Sequence, residues 1–138
     1  MIRTIVVGYD EGEVSRRALE RAALLARALG AQLVVTSVAP VTATAGGRSI
    51  GADPTEPADE HLAELAQARS YLEREGIAAQ YVEAVGHEAE SILAAARQHS
   101  ADLIVVGSRE LSALQRLLGQ SVSDAVSHGA RCDVLIVH

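Results

Sequence analysis

The chain has 138 residues, with 12 Lys and Arg against 18 Asp and Glu, for a formal charge of −6. That length predicts one domain, and the acidic balance excludes a protein that coats nucleic acid or an anionic membrane. Hydrophobic residues at 49% exclude global disorder, while 2% aromatics, with no Phe or Trp, exclude an aromatic stacking platform for single strands.

In chain order, the β-branched run Ile5–Val7 predicts a first strand. A helix is predicted over Ser15–Leu29, with Ala18, Leu19, Ala22, Leu25, Ala26 and Leu29 on one face and Gly30 at the left-handed C′ position. Leu33–Val35 predicts a second strand. The stretch 39–53, rich in Ala, Thr and Gly, predicts a mobile surface excursion inside the domain. The next helix can start at Asp53, with Pro54 at N1 and Glu56 at N3, or at Thr55. It carries Leu62, Leu65, Ala66, Arg69 and Leu72 and ends at Gly76. The partial alternation of Ala79–Val85 predicts an edge strand. A helix from Glu88 through Ile92, Leu93 and Ala96 to His99 follows, then the strand Leu103–Val106. A last helix begins near Ser121 and stops at Gly129, before a final strand Val134–Val137.

Continuously apolar strands alternating with helices predict a doubly wound, Rossmann-like α/β domain over residues 1–138, its parallel sheet covered by helices on both faces. Ligands of such sheets bind beyond the carboxyl ends of the strands, where strand order reverses. The loops to watch are therefore Gly8-Tyr9-Asp10-Glu11-Gly12 after the first strand and Gly107-Ser108-Arg109-Glu110 after the fourth. The helix start at Ser121–Asp124 offers amides to an anion, and Ser121 with Asp124 forms a plausible capping pair there. Asp10 can equally shape the first turn, and Gly8 and Gly107 can serve as permissive turn residues.

Several chemistries are missing. The chain contains no Lys, which removes the P-loop and phosphoryl-receiver mechanisms, and no Gly-x-Ser-x-Gly elbow. The lone Cys132 suits packing better than nucleophilic attack, and no Cys/His spacing suggests a metal site. His61, His87, His99 and His128 read as surface or helix-end residues. No leader or spanning segment is apparent, and the expected setting is reducing and cytoplasmic.

The opening Ile5-Val6-Val7-Gly8-Tyr9-Asp10, the mid-chain Ala101–Arg109, the Leu117-Leu118-Gly119 and Ser121-Val122-Ser123 segments and the closing Cys132–Val137 occur together, in order. In this the chain resembles the universal stress protein family over essentially its whole length. The resemblance implies a five-stranded parallel sheet of order 3-2-1-4-5 and a homodimer. It implies adenine-nucleotide binding (ATP, ADP, AMP or cyclic AMP) by Gly8, Tyr9, Asp10, Val38, Gly107, Arg109, Gly119, Ser121, Val122 and Ser123, with Mg2+ only alongside ATP. Asp10 matches the family's loop aspartate, and Val38 falls where a valine lines the base pocket. The family's Gly-x2-Gly-x9-Gly-(Ser/Thr) loop is degenerate here: Glu110 stands at its second glycine, and its third falls on Gln120 or, in a register one residue shorter, on Gly119 with Gln120 inserted before Ser121. A carboxylate about 4 Å from a phosphate charge repels it by roughly 4 kcal/mol at an effective dielectric of about 20. The expected function is thus a stress-response regulatory module that binds an adenine nucleotide weakly. The alternatives are a dimeric module acting through an unidentified protein partner without nucleotide, and a slow ATP-hydrolysing enzyme. The apolar run Val134-Leu135-Ile136-Val137, placed at a sheet edge by that strand order, is the expected dimer interface.

Overall fold

In a computed structural model the chain is described over residues 1–10, 12–39, 44–45, 48–49, 56–108 and 121–138. Five long strands form the sheet: β1 (Thr4–Gly8), β2 (Gln32–Ala39), β5 (Ala79–Val85), β6 (Leu103–Gly107) and β7 (Asp133–Val137). Their order is β5-β2-β1-β6-β7 and every pairing is parallel, the expected 3-2-1-4-5 arrangement. The register sets Val6 beside Val34 and Ile104, so apolar runs lie side by side through the middle of the sheet. A separate antiparallel ribbon joins β3 (Thr44–Ala45) and β4 (Arg48–Ser49) inside the predicted 39–53 excursion, of which Ala39 ends β2 and the remainder lies outside the described residues.

Strand alternation divides the core into two layers. Ile5, Val7, Leu33, Val35 and Val105 pack against α1 (Glu13–Leu29) and α2 (Glu56–Arg74). Val6, Val34, Ile104 and Val106 face α3 (Glu88–Gln98) and α4 (Val122–Gly129). Both faces are covered, so the strands read as unbroken apolar runs. Each fully buried Val, Leu or Ile contributes about 1.5–3 kcal/mol relative to exposure.

The helix ends follow local chemistry. Gly30 closes α1 in the left-handed region, with φ 65°. The start of α1 lies two residues earlier than expected, at Glu13, because Gly12 is its N-cap and no side chain caps it. Ser121 caps α4, its Oγ accepting from the Asp124 amide at 3.1 Å. The expected starts of α2 at Asp53 or Thr55 lie outside the described residues.

Two helix faces differ from expectation. Leu29 of α1 is exposed. In α2 the buried stripe is Glu64, Ala68 and Leu72, whereas Leu62, Ala66 and Arg69 point outward. The helix is turned so that Glu64 meets a hydroxyl of β2, and Arg69 instead stacks over the Tyr81 ring at 4.6 Å. No helix among the described residues is long and apolar enough to cross a membrane.

Candidate functional site

A cleft of about 730 Å3 opens above the carboxyl ends of the strands, within the usual range for small-molecule sites. Its floor is the point where strand order reverses: Gly8 ends β1 and Gly107 ends β6, with Val106 beneath. Neither glycine has a positive φ. Their role is space rather than backbone freedom, which corrects the expectation of permissive turns. A Cβ on Gly107 would stand 2.8 Å from Val14 Cγ1 and 3.1 Å from the Val14 carbonyl carbon and oxygen. A Cβ on Gly8 would stand 2.7 Å from Ile92 Cδ1. The glycines let α1 and α3 close directly onto the strand ends.

Three helix starts surround that floor. Beside α1, the Asp10 amide donates to Ser15 Oγ at 2.7 Å, and Asp10 Oδ1 accepts from the Gly12 amide at 2.7 Å. Asp10 therefore builds the turn into α1 while lining the cleft. Tyr9, buried at 5% exposure, also lines it, as does Val38 from the end of β2. From α4 comes Val122, beside Ser121 and Ser123, whose hydroxyls lie 3.1 Å apart. The structure thus brings together Gly8, Tyr9, Asp10, Val38, Gly107 and Val122 around one cavity. Arg109, Glu110, Gly119 and Gln120 lie outside the described residues.

Sequence reasoning missed a second wall. Gly86, His87 and Glu88, where β5 leads into α3, line the cleft, and so does Glu64 of α2. Glu64 is only 8% exposed and accepts from the fully buried Ser37 Oγ at 3.0 Å. The one signal in the sequence was Ser37, a hydroxyl in the apolar β2 run, since Glu64 lies off the stripe that helix periodicity predicts. Among the described residues the lining carries four carboxylates, Asp10, Glu13, Glu64 and Glu88, with His87 and no Arg. The described residues contain no cluster of three metal-ligating side chains. Far from the cleft, burial and then Asp133 and Asp102 push the Cys132 thiol pKa up, which disfavours the thiolate.

The comparisons agree with this architecture. The family model described as the universal stress protein family matches residues 1–138. Universal stress protein YxiE of Bacillus subtilis is 33% identical, over 99% of this chain and 99% of its own. The crystal structure of a universal stress protein in complex with cAMP superimposes with a TM-score of 0.79 at 28% identity, covering 99% of this chain and 97% of that one. The universal stress protein from Archaeoglobus fulgidus in complex with dAMP gives 0.74 at 27% identity, with all of both chains covered.

Proposed function

This chain belongs to the universal stress protein family, and we propose that it is a regulatory module that binds an adenine nucleotide in the cleft above β1 and β6. The observation that carries the reading is the cavity itself. The loop carboxylate Asp10, the base-pocket residue Val38 and the two strand-end glycines converge on it, with the start of α4 at its rim. Relatives with this fold are described in complex with cAMP and dAMP. In this chain Gly8 and Gly107 form the floor on which a ligand would lie, while Val38 and Ile92 supply an apolar wall. The amides at the start of α4 face a phosphate. The four carboxylates work against a polyanion, so the ligand carries few phosphates.

The test is thermal stability with adenosine, AMP, cyclic AMP, ADP and ATP. A ligand at 100 times its Kd stabilises by about 2.7 kcal/mol. AMP or cyclic AMP should give that shift and ATP a smaller one; no shift with any of the five overturns the reading. Substituting Glu110→Gly with Gln120→Gly should then strengthen ATP binding. Steady ATP turnover abolished by Asp10→Ala would replace the binding module with an enzyme.

The module works as a homodimer through β7. That strand pairs only with β6 among the described residues, and Val134, Leu135 and Ile136 are only partly buried. An apolar edge with unpaired backbone groups favours antiparallel pairing with a second copy. Light scattering should give twice 14.4 kDa for the parent and the monomer mass for Ile136→Lys. A monomeric parent contradicts this assembly.

A further inference from the structure

Glu64 has no counterpart among the residues that the family resemblance points to, yet it occupies one wall of the cleft. Its side chain is more than nine-tenths buried, and the hydroxyl of Ser37, with no exposure at all, fixes Oε2 at 3.0 Å. A buried carboxylate is costly to keep without hydrogen bonds, and α2 turns its leucine at position 62 outward to place this one inward. We infer that Glu64, positioned by Ser37, is a specificity-determining residue that accepts a hydrogen bond from a neutral donor on the nucleoside end of the ligand.

The inference rests on the nucleotide-binding reading given above. A carboxylate accepts and never donates, so it selects N–H and O–H groups and rejects ring acceptors and phosphate oxygens. Such a charge-assisted bond is stronger than a neutral one. Adenosine offers two kinds of donor, the exocyclic amine and the ribose hydroxyls. Both give the same chemistry at Glu64, and matched analogues separate them. α2 and α4 cover opposite faces of the sheet and both reach the cleft, which sets the nucleoside end on the Glu64 side and the phosphate end on the Val122 side.

Calorimetric titration of the parent, Glu64→Gln and Ser37→Ala proteins with adenosine, purine riboside, 2′-deoxyadenosine and 3′-deoxyadenosine tests this. The parent should bind at least one analogue about tenfold or more weakly than adenosine, the analogue that loses the donor Glu64 reads. Glu64→Gln, whose amide oxygen accepts only a neutral bond, should weaken adenosine and reduce that discrimination, and Ser37→Ala should reduce it partially. Equal adenosine-to-analogue ratios in parent and Glu64→Gln overturn the inference and leave Glu64 a structural residue. Should Glu64→Gln fold poorly, Glu64→Asp, which keeps the charge but withdraws it, must likewise lose discrimination. Absence of adenosine binding by the parent contradicts the nucleotide reading itself, a result distinct from equal ratios.

Discussion

The two edges of one parallel sheet are built on opposite plans. At the amino edge, Asp102 precedes β6 and its Oδ2 accepts from the amides of Arg3 and Thr4, at 2.8 and 3.1 Å. The Asp102 amide donates to the Thr4 carbonyl at 2.9 Å, and the Gln32 amide to the Arg3 carbonyl at 2.8 Å. These bonds close the edge, and the carboxylate belongs wholly to the fold. At the carboxyl edge the chain leaves each strand for a helix on one face or the other, and the strands part around a cavity. Just past the ends of β1 and β6, the Tyr9 amide donates to the Thr36 carbonyl at 2.9 Å and the Ser108 amide to the Val137 carbonyl at 2.7 Å. Beyond them carboxylates line a cleft. A carboxylate's role therefore depends on which end of the sheet it occupies, and residue type alone does not separate staple from binding wall.

The largest expected effect comes from filling the open edge. Gly107→Ala should destabilise by roughly 1–3 kcal/mol, because the new methyl meets the Val14 backbone, which yields only if α1 moves. Gly8→Ala should cost less, below about 1 kcal/mol, since the obstructing atom is the mobile end of Ile92. Urea denaturation gives both values, and the reverse ranking would contradict the close-packing account of these glycines.

A smaller, pH-dependent effect belongs to the closed edge. Hydrogen bonds from the Arg3 and Thr4 amides hold the Asp102 carboxyl below its ordinary pKa. Its stabilising contribution is therefore complete above the unfolded carboxylate range of about 4, and is lost as pH falls through the lower folded value. The stability gap between parent and Asp102→Asn should be present at pH 7 and shrink at pH 3. A gap that does not change with pH would show that the staple does not depend on charge.

The same contrast explains what could be read from sequence. Strands were legible because both faces of the sheet are buried: Ile5–Val7, Leu33–Val35 and Leu103–Val106 are unbroken apolar runs. Glycine after α1 and Ser121 before α4 were legible because capping is local. The inner face of α2 was legible only in part: Leu72 is buried and Leu65 packs against the core as expected, but Glu64 and Ala68 complete the stripe while Leu62, Ala66 and Arg69 face outward. Glu64 faces inward through a bond to Ser37, 27 residues away, and helix periodicity carries no information about such a partner. His87 and Glu88 read as ordinary helix-start residues for a related reason. Only the placement of β5 beside β2 brings their turn to the rim of the cleft.

The most direct test of the central claim, that ligand binding belongs to the carboxyl edge, is an amide chemical-shift titration of the 15N-labelled protein with AMP. The account predicts saturable shifts at Gly8, Val38, Gly107 and Val122, with Arg3, Thr4 and Asp102 unmoved. Shifts concentrated at the amino edge, or none at the four cleft residues at saturating AMP, would contradict it.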